Sequence, residues 1–344
     1  MRALCKVEAI EGGIAMRDVA MREPGPDEIR IKVGAAGICG TDMQIYKWAP
    51  RMARRMKLPC VMGHEVSGVI DALGAGVTIL KAGDRVSLES HVFCGTCKQC
   101  TSGRAHLCTT TLYPGIDFDG GFAEYVVVPA RIAWVNAPDL PHEIAAMQEP
   151  FGIAVHASLE GSGVAGQTVL VNGCGPIGLM NIAAARALGA SLIIACDPNP
   201  LRRKTAALLG ADRCVDPLAE DLPKLVRDMT GGDGVDAGIE YSGTEAGFRN
   251  VFECLTKGGD FRLVGAPPQA IAVDFTFWLL KCPRMINIHG RRIWDSWTQM
   301  KALLQSGKVD LRPLASHVLP LSEAQRGFDL ILAGEAVKPI LVPD

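Results

Sequence analysis

Four cysteines crowd the stretch "CGTCKQCTSGRAHLC", at positions 94, 97, 100 and 108. The Cys-x2-Cys-x2-Cys-x7-Cys spacing lets four thiolates of one loop close a tetrahedral shell around zinc, and a closed shell leaves no position for a substrate. Cys94, Cys97, Cys100 and Cys108 are therefore expected to hold a structural ion. A ferredoxin-type iron–sulfur run also begins Cys-x2-Cys-x2-Cys, but the fourth spacing is wrong for it, and Thr109 rather than proline follows Cys108.

A second set of donors is scattered along the chain. Cys39 lies in "GICGTDMQIYKW", in a glycine-flanked turn where a helix is expected to start, a setting that lowers a thiol pKa and prepares a thiolate ligand. His64 and Glu65 stand in "GHEVSGVIDALGAGV", and Glu149 in "QEPFGIAVH" falls where two domains are expected to join. Cysteine, histidine and glutamate around an ion with one open position describe a catalytic zinc.

The third motif is "VLVNGCGPIGLM", with Gly173, Gly175 and Gly178 in Gly-x-Gly-x-x-Gly register between an apolar strand and a helix. In that context the glycines permit a tight turn, close approach of a pyrophosphate and helix–strand packing, and the helix N-terminus favours the anion. Asp197 ends the next strand, placed to bond ribose hydroxyls and to repel a 2′-phosphate. NAD is thus expected rather than NADP. Arg202, Arg203 and Lys204 are read as the solvated start of a helix.

The elements that position these groups follow two patterns. Up to about Pro129, short β-type runs such as "EIRIKV", "DRVSL" and "AEYVVV" alternate with Gly, Pro and Asp turns. From about Gly166, apolar strands alternate with helices ("TVLVNG", "LIIACD", "VDAGIEYSG", "GGDFRLVGAP", "MINIHG"), the rhythm of a doubly wound parallel sheet. The amphipathic "SWTQMKALLQSG" and the strand "KPILVP" are expected to return to the first domain. The expected division is residues 1–150 and 291–344 in a catalytic domain and 151–290 in a nucleotide-binding domain.

Composition narrows the function classes. The 344 residues carry 35 Lys and Arg against 37 Asp and Glu, with no block of like charge, which argues against nucleic acid as a partner. No apolar run reaches the roughly 18 residues that a membrane span needs, and the N-terminus lacks a signal-type core. Twelve cysteines, dispersed apart from one cluster, suit a reducing compartment, so a cytoplasmic location is expected.

Three specific motifs in this order resemble the zinc-dependent medium-chain alcohol dehydrogenases, over essentially the whole chain. Gly63 to Val77 follows the family signature Gly-His-Glu-x2-Gly-x5-Gly-x2-Val, and "ICGTD", "FAEY", "PFGIAVH" and "GPIG" are similar to the branch that oxidises L-threonine. The resemblance implies a GroES-like catalytic domain beside a Rossmann domain, two zinc ions per chain and NAD as cofactor. It also implies a small secondary alcohol as substrate and a homotetramer or homodimer.

It further implies that Cys39, His64 and either Glu65 or Glu149 hold the catalytic zinc, and that Gly173, Gly175, Ile177, Gly178, Asp197 and Arg202 hold NAD. Val264, Gly265, Ala266, Ile288 and His289 would lie along the nicotinamide half. In the threonine branch a threonine at the place of Thr41 and a histidine three residues later relay the substrate proton. Gln44 stands in the second place here, and an amide orients a water but does not exchange protons near neutral pH. L-threonine is therefore the leading substrate, with a polyol, sugar alcohol or vicinal diol as alternative. A nucleotide-binding protein with structural zinc only is the third reading. His91, just before the cysteine loop, is assigned to substrate fit or proton exit, Thr41 or Asp42 also suits a helix cap, and His156 is expected to be structural.

Overall fold

The computed structural model describes residues 1–344 and divides into two compact units, Met1–Glu149 with Ala315–Asp344, and Pro150–Leu314. Residues 291–314, assigned from sequence to the returning tail, cluster with the second unit. Arg291 and Trp297 are fully buried there, and the arginine side chain lies against Gly152, where a Cβ would fall 2.7 Å from its Cδ.

The first unit is built on a mixed sheet in the order His317–Pro320, Pro339–Val342, Glu28–Gly37, Glu65–Leu73, Arg85–Leu88 and Ala133–Val135, with Tyr125–Pro129 also paired to Glu28–Gly37. Alternation sets its faces: Ile29, Ile31 and Val33 are buried while Arg30 and Lys32 point away from the core. A smaller sheet joins Ile14–Asp18, Arg2–Lys6 and Cys60–Val61. The long antiparallel pair matters most for function, because its register sets Gly37 opposite Glu65, bringing the turn before Cys39 beside the "GHE" segment. Pro339–Val342 lies on the other edge of the same strand, with Ile340 opposite Gly37, so Lys338 arrives at the same place from the far end of the chain.

The second unit is a six-stranded parallel sheet in the order Arg213–Val215, Leu192–Cys196, Thr168–Asn172, Val235–Glu240, Leu255–Leu263, Arg284–Asn287. Its central strands are apolar on both faces, with Val169, Leu170 and Val171 all fully buried, as a sheet covered on two sides requires. Connecting helices start with proline in the first turn at Pro176, Pro200 and Pro223, where the missing N–H costs nothing. The strand order reverses between Thr168–Asn172 and Val235–Glu240, which opens a crevice at the carboxyl ends of the strands.

Candidate metal and cofactor sites

Cys39 occupies the N-cap of the helix Gly40–Tyr46, and its side chain meets those of His64 and Glu65, the three ligand atoms lying within 4.8 Å of one another. All three come from the two paired strand ends, so the sheet register itself assembles the cluster. Asp42 bonds back to the Cys39 N–H at 2.8 Å, and its second oxygen lies 3.8 Å from His64 Nδ1. At that distance Asp42 acts on His64 through its charge and not through a hydrogen bond.

Lys338 is buried and forms an ion pair with Glu65, while donating to the Ile38 carbonyl at 3.0 Å. Glu149 is buried and accepts from Ser90 Oγ at 2.5 Å. The structure thus gathers Cys39, His64 and Glu65 in one ligand group and leaves Glu149 beside it, held by a serine.

Electrostatics favour a cation here. Burial opposes a charge on His64, but the adjacent Cys39 sulfur, Asp42 and Glu149 push its pKa up to about 10. Burial likewise opposes the Lys338 charge, and Glu65, Cys39 and Glu149 hold it above the usual lysine value. Burial drives Asp42 and Glu65 upward against those cations. Three carboxyl groups and a thiol therefore share a buried space with one ammonium and one imidazole. One Glu65 oxygen, Asp42 Oδ1 and His64 Nδ1 have no hydrogen-bond partner. A dication would satisfy this donor set, and metal uptake would displace the proton from His64.

The four-cysteine loop converges as the spacing predicts. Cys94 and Cys100 sulfurs are 3.9 Å apart, Cys97 and Cys100 3.5 Å, and Cys97 and Cys108 4.0 Å. Tetrahedral Zn–S bonds of about 2.3 Å require S···S separations of about 3.8 Å. The Thr96 and Cys97 N–H groups point at Cys94 Sγ, and these bonds, Thr96 first, lower its pKa to about 5. A thiol so stabilised as thiolate is ready to bind metal at neutral pH.

Thr41 is half-buried and Gln44 exposed, one helical turn apart on Gly40–Tyr46. Asp42, not Thr41, makes the bond that caps this helix. His91 is buried, its Nδ1 2.7 Å from Glu89 Oε1 and its ring edge-on to Tyr113. His156 bonds the Gly290 carbonyl and Glu160, a structural tie as expected.

In the second unit the residues read as NAD contacts lie at carboxyl ends of parallel strands: Gly173 after Thr168–Asn172, Asp197 after Leu192–Cys196, Val264 after Leu255–Leu263 and Ile288 after Arg284–Asn287. Gly173 takes φ +94°, where a side chain would be strained, and a Cβ on Gly178 would meet the Gly173 carbonyl at 2.0 Å. Gly175, by contrast, faces open space at the N-terminus of Pro176–Ala187, room that a pyrophosphate needs. Ile177 is half-buried beside it and His289 exposed.

Asp197 accepts from the Cys174 and Asn199 N–H groups, each at 2.8 Å, so it braces the glycine turn, and Arg202 approaches it at 3.7 Å. Arg203 bonds the Asp197 and Pro198 carbonyls and pairs with Asp216. Glu240, which the sequence reading missed, accepts from Ser242 N, Gly243 N and Asn172 Nδ2, while its own carbonyl accepts from Val264 and Gly265. It ties Val264 and Gly265 to the neighbouring strand ends.

Residues 25–139 match the Alcohol dehydrogenase GroES-like domain, and residues 176–306 match Zinc-binding dehydrogenase. The chain is 42% identical over 321 residues to an L-threonine 3-dehydrogenase of Caldanaerobacter subterraneus subsp. tengcongensis, covering 93% of this chain and 92% of that one. It is 40% identical over 345 residues to the L-threonine 3-dehydrogenase of Thermococcus kodakarensis, covering 100% and 98%. Among solved structures, galactitol-1-phosphate dehydrogenase from Escherichia coli superposes with a TM-score of 0.92 at 28% identity, covering 100% of both chains. The 2R,3R-butanediol dehydrogenase from Bacillus subtilis gives 0.90 at 28%, covering 100% of this chain and 99% of that one.

Proposed function

The chain belongs to the zinc-dependent medium-chain alcohol dehydrogenase family, and from that premise we propose that it oxidises the secondary hydroxyl of L-threonine with NAD as hydride acceptor. The observation that carries this reading is identity of about 40% over the full chain to relatives named for that reaction. The group of half-buried Cys39 and buried His64 and Glu65 supplies the chemistry it needs.

When bound, zinc polarises the substrate hydroxyl and NAD accepts the carbon-bound hydrogen. The chain's own residues do the rest. Cys39, His64 and Glu65 hold the catalytic ion, with Glu149 beside them as a further carboxylate that can exchange with Glu65. Asp42 and Lys338 set the charge around His64 and Glu65. Thr41 and Gln44 run from the half-buried to the exposed side of their helix, which supports a proton route past them through ordered water. Cys94, Cys97, Cys100 and Cys108 hold a second, structural zinc. Gly173, Gly175, Ile177, Gly178, Asp197 and Arg202 hold the adenosine side of NAD, and Val264, Gly265, Ala266, Ile288 and His289 line the nicotinamide side.

A vicinal diol or polyol is the second reading, favoured by Gln44 and by the likeness to a butanediol dehydrogenase structure. A cytoplasmic location is part of the proposal, on the dispersed cysteines of the sequence; no helix is long and apolar enough to cross a membrane. A homotetramer or homodimer completes the proposal.

The test is a panel of L-threonine, 2,3-butanediol, sorbitol and galactitol 1-phosphate with NAD and NADP in parallel, on protein assayed for metal. Turnover of L-threonine with NAD and two zinc ions per chain is expected. Turnover of the diols or polyols without L-threonine would replace the first reading with the second. One zinc per chain, with no activity lost on changing Cys39, would leave only a binding protein.

A further inference from the structure

The strand Val235–Glu240 lies between Thr168–Asn172 and Leu255–Leu263 in the parallel sheet, and it ends on a buried carboxylate. Glu240 Oε1 accepts from the Ser242 N–H at 2.7 Å, from Asn172 Nδ2 at 3.3 Å and from the Ser242 hydroxyl, while Oε2 accepts from the Gly243 N–H at 3.0 Å. The Glu240 backbone carbonyl accepts from the Val264 N–H at 3.0 Å and the Gly265 N–H at 2.8 Å. One residue thus holds two segments, 241–244 and 264–266, that leave neighbouring strands.

These segments meet backbone to backbone, with glycine at each point of contact. A Cβ on Gly265 would crowd the Gly243 nitrogen and fall 2.7 Å from Glu240 Oε2, and one on Gly243, at φ +64°, would fall 3.1 Å from the Ala266 carbonyl oxygen. So close an approach requires glycine. A buried carboxylate is costly unless its oxygens are bonded, and here the cost is offset by N–H and O–H donors that belong to the segment being held.

We propose that Glu240 is a positioning residue for the nicotinamide half of the cofactor: by clamping 241–244 to 264–266 it fixes the place of Val264, Gly265 and Ala266 at the carboxyl ends of the strands. This rests on the reading above that NAD lies along these residues. The adenosine half has separate supports. Asp197 braces the glycine turn through the Cys174 N–H, and the Tyr241 N–H stays tied to the Asn172 carbonyl at 2.8 Å whatever the Glu240 side chain does.

Glu240→Gln keeps the shape and breaks the bonding. An amide has one oxygen and one NH2, so with its oxygen toward Ser242 the NH2 confronts the Gly243 N–H, and in the reverse orientation it confronts the Ser242 N–H. The comparison that reads this is NADH against ADP-ribose, which lacks the nicotinamide, by titration calorimetry on the full-length, zinc-loaded protein. NADH affinity should fall about 10-fold, the size expected for losing a hydrogen bond to a charged group. ADP-ribose affinity should stay within about 2-fold, as for a site with separate supports. In cofactor-free protein the Gly243 amide should exchange its hydrogen faster than before, with the Val169 amide of the sheet core unchanged.

Ser242→Ala, a milder change that removes one donor, should show the same selectivity at about 3-fold. Equal losses for NADH and ADP-ribose would make Glu240 a general support of the sheet and overturn the proposal, as would an unaltered NADH affinity. If the parent protein binds neither ligand, the cofactor reading itself fails and the proposal falls with it.

Discussion

Gln44 sits on the exposed side of its helix, one turn beyond the half-buried Thr41. A glutamine there can order water but cannot accept a proton, whereas a histidine of ordinary pKa, about 6.5, is neutral and basic above that pH. Gln44→His should therefore raise kcat above about pH 6.5, by on the order of 10-fold at most for so exposed a group, with no gain below. A pH–rate profile of the two proteins on the true substrate checks it. An unchanged profile would mean that another group already carries the proton.

Residues of this kind divide sharply in how readable they are. Cys39, His64 and the four loop cysteines announce themselves by type and spacing. Their supports do not: Lys338 is a lone cation heading an apolar strand, 300 residues from the Ile38 carbonyl it bonds. Asp42, Glu89 and Ser90 look like any polar residue near a turn. Only burial and the partner atom reveal them, and for Lys338 and Asp42 both follow from the sheet register that sets Gly37 between Glu65 and Ile340.

At the level of elements, the helix Gln148–Leu159 is held at its C-terminal end within the second unit. Its first turn carries Glu149, and its C-terminal carbonyls Ala157 and Ser158 accept from the fully buried Arg262, which also reaches the Gly163 carbonyl. That guanidinium complements the helix dipole and is neutralised by Asp260 at 3.0 Å. Burial alone would raise the Asp260 pKa, but bonds from the Ser162 N–H, Arg262 and Arg284 outweigh it and hold the carboxyl below its ordinary value.

The sign follows: the stability this depressed pKa contributes is complete above the unfolded value of about 4 and is lost as pH falls through the folded one. Asp260→Asn leaves Arg262 buried without a counter-charge, and should cost about 3–5 kcal/mol at pH 7. The loss should shrink as pH drops below about 4. Denaturant titrations of both proteins from pH 7 to pH 3 measure it, and a pH-independent difference would refute the electrostatic cause. Nothing in "GGDFRLVGAP" signalled this pair. The alternation of charged and apolar residues reads as an ordinary strand, and the two charges are drawn inside by the helix ends they must satisfy.

At the scale of the whole molecule, the fold class and motif order were legible because periodicity and glycine spacing are local properties. The division at Leu314 was not, since residues 291–314 follow the last parallel strand and only packing, with Trp297 and Met300 fully buried, assigns them to the second unit. Oligomeric state lies beyond either kind of signal, yet the second unit exposes a feature that bears on it. The strand Arg284–Asn287 ends the sheet with an unpaired edge, and beside it the helix Phe275–Lys281 exposes Phe275, Leu279 and Leu280.

An open edge flanked by large exposed apolar side chains is a liability in a lone subunit and an asset in a symmetric one, where two copies pair edge to edge across a two-fold axis. If the proposed homo-oligomer uses this surface, replacing both Leu279 and Leu280 with aspartate sets like charges face to face across the axis. It should shift the protein to a smaller species by light scattering coupled to size exclusion. NADH binding should persist, because the carboxyl-end crevice is formed by other residues of the sheet. An unchanged mass for the double variant would place the interface elsewhere.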